Sequence, residues 1–291
     1  MNDFKRLESP IGRKSYQGKG EKPNGYIVLN GHHYRLGRQV GEGTQARVFR
    51  VVNRPLVAKI NDDNEGESAL REGKTLERMS STGVVRCFEH GKTPEGRSAL
   101  ILEFIRGTPF SEAIHRIGPA RALRAVRRLG VTMEEVHAHG VIHRDLKPAN
   151  VMLTDDRAKV LDFGISARAG HHDDFFDRTT SGTPRYMAPE QFSIGLENVG
   201  FGLDTYALGV IITEALTGQA PFSTNSMAAL VYEKMCGIAA RNAAALISKS
   251  PRTQQIPDRE GIAELAGRML SPFPDDRPKM DEVNKTLGAT S

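Results

Sequence analysis

Two short apolar runs, Val141-Ile142 and Val151-Met152-Leu153, enclose eight residues that nearly all carry a charge or a polar handle, His143-Arg-Asp-Leu-Lys-Pro-Ala-Asn150. No other stretch constrains the fold as tightly. Apolar flanks of this length are what a pair of short buried strands would supply, and Pro148 limits the backbone between them. Asp145, Lys147 and Asn150 then sit within six positions on a loop pinned at both ends. Such a loop can hold a base, a cation and a metal-reaching amide in fixed relation, which is what a transfer reaction needs from its protein. Taken alone, the three side chains read equally well as a solvated polar turn.

The ambiguity ends seventeen residues after Asp145, where a second apolar approach, Val160-Leu161, runs into Asp162-Phe163-Gly164. The two motifs together resemble the core of a Ser/Thr protein kinase of the eukaryotic-like (Hanks) type. The resemblance implies an α+β, two-lobed protein-kinase-like fold, with a β-rich N-lobe, a helical C-lobe and ATP between them. Asp145 would take the proton of an acceptor hydroxyl, and Lys147 would neutralise the γ-phosphate as it transfers. Asp162 and Asn150 would hold Mg²⁺, with Mn²⁺ as the alternative, since hard oxygen ligands and substrate phosphates suit such an ion. In this family a lysine two residues after the base goes with serine and threonine acceptors.

Composition bounds the setting. At 291 residues the chain can bury one substantial core or two lobes around a cleft. No run approaches the eighteen or so apolar residues of a membrane span, and the N-terminus lacks the apolar core of a signal peptide. Cys87 and Cys236 have neither metal-site nor disulfide-framework spacing, which makes a reducing, cytoplasmic setting the default. Delivery of the protein into another cell is equally compatible with this composition. A net charge of +5 is too weak to argue nucleic-acid binding. Neither nucleic acid nor membrane is therefore an expected partner.

Residues 1–25, rich in Lys, Arg, Gly, Ser and Asn, read as a flexible basic leader. The N-lobe is expected over 26–102, a hinge over 103–107 and the C-lobe over 108–291. Strand-like runs are Tyr26–Leu29, Tyr34–Gly37, Val48–Val52, Leu56–Ile60, Val84-Val85 and Ser98–Leu102. Gly41-Glu-Gly43 lies between two of them, where a glycine pair lets backbone N–H groups approach a phosphate. The kinase pattern is matched by Gly41, Gly43 and Val48, with Ala46 in place of the third glycine. Lys59 sits inside an apolar strand, costly unless its ammonium reaches an anion. The resemblance supplies the α- and β-phosphates of ATP and a helix glutamate. Among Glu65, Glu67, Glu72 and Glu77, Glu72 is selected by its family-like Arg71-Glu72 context and by sharing a helical face with Leu76. Val57 would contact the adenine, Leu102 would set the depth of the pocket, and the backbone at Glu103 and Ile105 would read the adenine edge. Cys87 reads as a small core residue rather than a reactive thiol.

Pro119–His139 carries Leu123, Val126, Leu129, Met133 and Val136 at helical spacing, with Arg121, Arg124 and Arg128 on the other side as a solvated face. Ser166–Ser181, with His171, His172, Asp173 and Asp174, reads as an exposed loop rather than a metal site. It leads into Gly182-Thr-Pro-Arg-Tyr-Met-Ala-Pro-Glu190, which resembles the end of a kinase activation segment and implies a protein substrate, with Thr183 lining the acceptor site. Arg144 would pair with a phosphate on that segment, placed by autophosphorylation at Thr179 or Thr180 after self-association. Leu203–Ile212 resembles the central helix of the large lobe, where Asp204 would accept N–H bonds from the catalytic loop. Arg277, in Pro274-Asp-Asp-Arg-Pro278, would pair with Glu190. Compact length and a short linker after the glycine loop resemble the bacterial kinases, and the chain's early end leads us to expect no further domain. Two rival readings are a silent ATP-binding scaffold, favoured only by Ala46 and Val57, and a small-molecule phosphotransferase, disfavoured by 182–190.

Overall fold

Asn30-Gly31 begins the architecture. Both residues have positive φ, 46° and 85°, as the two central residues of a type I′ hairpin turn require. They join β1 (Tyr26–Leu29) to β2 (His32–Glu42), with Leu29 opposite His32. The computed structural model describes residues 25–43, 46–61, 67–79, 82–155, 157–169, 183–192, 200–224 and 226–288. β3 (Ala46–Val51) and β4 (Leu56–Asn61) follow, then helix α1 (Glu67–Arg78), β5 (Cys87–Lys92) and β6 (Ser98–Glu103). Every neighbouring pair in this six-stranded sheet, ordered β1-β2-β3-β4-β6-β5, is antiparallel.

The period-two alternation of strand side chains divides this sheet cleanly. Phe49, Val51, Ala58, Ile60, Ala99 and Ile101 face β1 and form a small core with Ile27, Leu29 and Tyr34. Val57, Leu100 and Leu102 point the other way and join Ala69, Leu76 and Met79 of the helix side in the main core. Lys59 lies between Val48 and Leu100 in one cross-strand row, so it faces that second side.

One expected strand is corrected. Val84 and Val85 make only an isolated parallel bridge, Val84 to Val160, while the strand itself begins at Cys87. Both valines are buried, and their segment bonds across to the large lobe: Val85 N–H donates to Val160 O at 3.0 Å and Val160 N–H to Gly83 O at 2.8 Å. The expected strand over 34–37 is part of the longer β2, whose register against β3 shifts after Leu36 and again after Gln39.

The large lobe contains β7 (Thr108–Pro109), α2 (Phe110–Ala113), α3 (Pro119–Ala138), β8 (Val141–Ile142), β9 (Val151–Leu153), β10 (Ala158–Val160) and β11 (Ala167–Arg168). Helices α4 (Gly202–Thr217), α5 (Met227–Met235), α6 (Ile238–Lys249), α7 (Arg259–Met269) and α8 (Met280–Leu287) complete it. From Leu203 to Thr217 every residue of α4 is buried, as expected of a helix apolar on all sides and enclosed by others. Gly209 permits the closest of these approaches, since a Cβ there would stand 2.9 Å from Met269 Cβ. Truncating Ile211, fully buried in this helix, would cost about 2–5 kcal/mol. Among the described residues no helix is long and apolar enough to cross a membrane. β8 and β9 bracket the polar loop, and β9 pairs with β10, which leads to Asp162.

Candidate active site

The strand row that carries Lys59 delivers its ammonium to two carboxylates from different elements. Nζ donates to Glu72 Oε2 of α1 at 2.7 Å and to Asp162 Oδ1, beyond β10, at 2.8 Å. Glu72 is 1 % exposed, and Leu76 one turn later is buried with it. Burial disfavours the Lys59 charge, but the two anions outweigh it and its pKa is raised above the ordinary value. At Glu72 burial wins: its pKa is raised, with Lys59 offsetting only part of the effect. At Asp162, whose side chain is half exposed, the partial loss of solvation is overcome by Lys59, and its pKa is lowered. The Lys59 cation thus keeps Asp162 ionised.

Around this group lie the other small-lobe residues expected at the nucleotide. Gly41 stands opposite Val48 and Val48 opposite Lys59. Gly43 N–H donates to Ala46 O at 2.8 Å, so Ala46 closes the turn as a buried strand residue paired with Asn61. Val57 is buried opposite Leu102. Glu103 belongs to β6; its side chain accepts from Arg86 N–H at 2.9 Å and from Lys159, tying the strand end to the large lobe. Ile105 N–H has no acceptor among the described residues, which leaves it available to a ligand. Burial pushes the Cys87 thiol up to about 12, against a reactive role.

The polar loop is organised from beneath by one buried carboxylate. Asp204, in the first turn of α4, accepts His143 N–H through Oδ2 and Arg144 N–H through Oδ1, both at 2.9 Å. His137 of α3 adds a bond to Oδ2 at 3.0 Å. Despite full burial these donors, His137 foremost, hold the Asp204 pKa below the ordinary range. Its grip matters because Arg144 has φ of 70°, a left-handed conformation that a non-glycine residue adopts only when held.

Above that floor the chemistry-bearing side chains converge. Lys147 Nζ donates to Asp145 Oδ2 at 2.6 Å and to Thr183 Oγ1 at 2.8 Å. Thr183 N–H donates to Asp145 Oδ1 at 3.0 Å. Asn150 Nδ2 donates to Asp145 O at 2.9 Å and to its Oδ2 at 3.2 Å. Three of the expected residues are therefore bonded directly to Asp145.

Asn150 Oδ1 and Asp162 Oδ2 accept no hydrogen bond from the described residues. Among these residues no three His, Cys, Asp or Glu converge on a site able to hold a metal alone. Two hard oxygens without a dedicated cage fit a divalent ion that takes its other ligands from phosphate and water.

The segment after Thr183 is locked to the lobe. Tyr186 OH donates to Glu214 Oε2 at 2.8 Å. Arg277 grips Glu190 with both Nη atoms, at 2.6 and 2.8 Å, and also donates to Gly202 O and Ser271 O. Arg144 Nη1 donates to Ile165 O at 3.4 Å. Thr179 and Thr180 lie outside the described residues, as do residues 1–24, Glu65 and the 171–174 cluster.

Sequence reasoning missed several residues that shape this site. Gln191 donates to Arg144 O at 3.2 Å and accepts Ala188 N–H at 2.9 Å; His137 orients Asp204. Lys234, fully buried, donates to Arg185 O at 3.0 Å and Met187 O at 2.7 Å. Lys234 and its neighbour Glu233 are both buried in α5, while Met227, Tyr232 and Met235 of the same helix are exposed.

A family model described as the protein kinase domain matches residues 34–287. The chain is 30% identical over 279 residues to serine/threonine-protein kinase pkn3 of Myxococcus xanthus, covering 87% of this chain and 49% of that protein. It is 35% identical over 219 residues to DNA damage-responsive serine/threonine-protein kinase RqkA of Deinococcus radiodurans, covering 69% and 32%. With PknH of Mycobacterium tuberculosis it shares 31% over 218 residues, covering 70% and 34%. The chain spans about half or less of the length of these relatives.

Proposed function

We propose that this chain, which belongs to the protein kinase family, transfers the γ-phosphoryl group of ATP to serine or threonine hydroxyls of proteins. The observation that carries the reading is the bridge made by Lys147 between Asp145 Oδ2 and Thr183 Oγ1. It joins a base, a cation for the transferring phosphate and the segment that receives a peptide. Bacterial serine/threonine-protein kinases among the relatives support the same acceptor class.

The chain's own groups account for the step. Asp145 accepts the hydrogen bond of the acceptor hydroxyl, aims its oxygen at the γ-phosphorus and receives its proton. Lys147 stabilises the charge spread over the equatorial oxygens, and Lys59, held by Glu72, positions the α- and β-phosphates while ADP departs. Gly41 and Gly43 bring backbone to the phosphates; Val57, Glu103 and Ile105 receive the adenine. Asp162 and Asn150 would hold Mg²⁺, which supplies neutralisation of phosphate charge when bound.

Autophosphorylation at Thr179 or Thr180 is the activating step in this reading, with Arg144 receiving the phosphate through charge-assisted hydrogen bonds. Phosphopeptide mapping of active protein should find that modification, and an unmodified segment in fully active protein would remove it from the mechanism. The transfer itself is tested with labelled ATP, Mg²⁺ and a generic basic protein, using the intact chain and Asp162→Ala. Label should pass to protein hydroxyls only with the unmutated chain. No transfer would favour an ATP-binding scaffold, and transfer to small molecules alone a small-molecule phosphotransferase.

A further inference from the structure

Lys234 has no role in the reaction described above, yet it is 0% exposed. Among the described residues no carboxylate is bonded to its ammonium. Nζ donates to the backbone carbonyls of Arg185 and Met187 and lies 4.8 Å from the Tyr206 ring centroid and 4.3 Å from that of Phe222. Two carbonyl dipoles and two ring faces are a costly way to house a charge. Both carbonyls lie in the turn directly after Thr183, whose N–H and Oγ1 are bonded to Asp145 and Lys147. Lys234 therefore grips, from below, the piece of chain that is bonded above to the groups acting on the acceptor.

We infer that Lys234 is a positioning residue for the protein acceptor: by holding the Arg185 and Met187 carbonyls it fixes the turn on which the acceptor peptide docks against Asp145. The inference rests on the kinase reading and adds a specificity-bearing contact to it. The chemistry suits the task. An ammonium is a compact point charge with three rotatable donors, so it can satisfy two carbonyls that a single backbone N–H could not. Burial first, then the nearby Arg277 and Arg185 charges, lower its pKa to about 7, with Glu190 acting in the opposite sense. The hold on the turn therefore weakens as pH rises through neutrality.

The test is steady-state transfer to a Ser peptide lacking His, Asp and Glu, with ATP and peptide varied separately, for the full chain and its Lys234→Met and Lys234→Gln variants. Lys234→Met should raise the KM for peptide about tenfold, as expected for the loss of hydrogen bonds from a charged donor, while the KM for ATP stays within twofold. Lys234→Gln, which keeps one donor and no charge, should fall between the two. In the unmutated chain the peptide KM should rise between pH 6 and pH 8 while the ATP KM does not, a readout that survives even if a variant fails to fold. An unchanged peptide KM in folded Lys234→Met, or a flat peptide KM across that range, overturns the inference. Equal loss in both KM values would mark Lys234 as merely structural and overturns it as well. If the unmutated chain transfers phosphate to no peptide or protein, the kinase reading itself fails, a result distinct from each of these.

Discussion

Lys59 in the small lobe, half-buried, and Lys234 in the large lobe, fully buried, place the same functional group in opposite electrostatic settings. Lys59 meets two carboxylates, brought to it by α1 and by the segment after β10. Lys234 meets two carbonyls and two aromatic rings. Desolvation opposes the charge at both. Formal anions reverse the balance at Lys59, whose pKa is raised, whereas dipoles do not at Lys234, whose pKa falls to about 7. The first ammonium is permanently charged at any physiological pH, as a group meant to hold phosphates must be. The second is charged only conditionally. Arg277 offers a third case in the same lobe: a fully buried guanidinium, paired in bidentate fashion with Glu190.

That contrast can be broken at its strongest point first. Removing a cation from a buried pair strands its anion, so Arg277→Met should destabilise the fold by about 3–5 kcal/mol, read by urea denaturation. A loss under about 1 kcal/mol would place this pair with solvated surface pairs and remove it from the comparison. Next comes Lys59→Met, which should lower kcat/KM for ATP about 10²–10³-fold, the scale of losing one preorganised electrostatic contact. Activity within a few fold of the unmutated chain would show that the Lys59 charge has no part in positioning the phosphates. Glu72→Gln is milder, because Lys59 keeps Asp162. A loss of about tenfold is expected, chiefly in the KM for ATP, and a loss as deep as that of Lys59→Met would mean that Glu72 alone orients the lysine.

The two lysines also mark how far the sequence could be read. Lys59 is legible because a lone charge in an apolar strand, Val57-Ala-Lys-Ile60, announces that it must meet an anion, and the 143–150 and 162–164 motifs name the chemistry nearby. Glu72 could be chosen among four glutamates because Arg71-Glu72 resembles the family's pair and because helical spacing puts Glu72 on the face marked by Leu76. Lys234 gave no such sign: in Met227-Ala-Ala-Leu-Val-Tyr-Glu-Lys-Met235 the charged pair would ordinarily face solvent. Its burial follows from carbonyls on the 183–192 segment and from the rings of Tyr206 on α4 and Phe222 beyond it, a tertiary fact that local periodicity does not encode. Val84-Val85 misled for a related reason. Two β-branched residues signal extended backbone, but their partner is Val160 of the other lobe rather than a neighbour in the six-stranded sheet. Asn30-Gly31 was a readable hairpin signal that the strand pattern alone passed over.

The most direct test of the comparison runs through stability and pH. Lys234 titrates near 7 when folded against 10.5 when unfolded. Below pH 7 both states hold the proton, and the group contributes no slope. Between the two values the unfolded chain holds one more proton than the folded chain, so this site makes stability rise with pH by up to about 1.4 kcal/mol per unit. The folded chain escapes the burial penalty by releasing its proton. Lys59 acts in the opposite sense, since its raised pKa gives a stabilisation that is fully present below 10.5 and lost only as pH rises through the higher folded value. From pH 7 to pH 9 the two lysines therefore separate, because only Lys234 changes charge there. The stability difference between the unmutated chain and Lys234→Met, measured by urea denaturation at constant ionic strength, should shift in favour of the unmutated chain by roughly 2 kcal/mol over that range. A constant difference would mean that Lys234 keeps its proton, and that carbonyls and rings shelter an ammonium as well as carboxylates do. A rising difference would set stability against hold: the pH that relieves the buried charge is the pH at which the turn after Thr183 loses its cation.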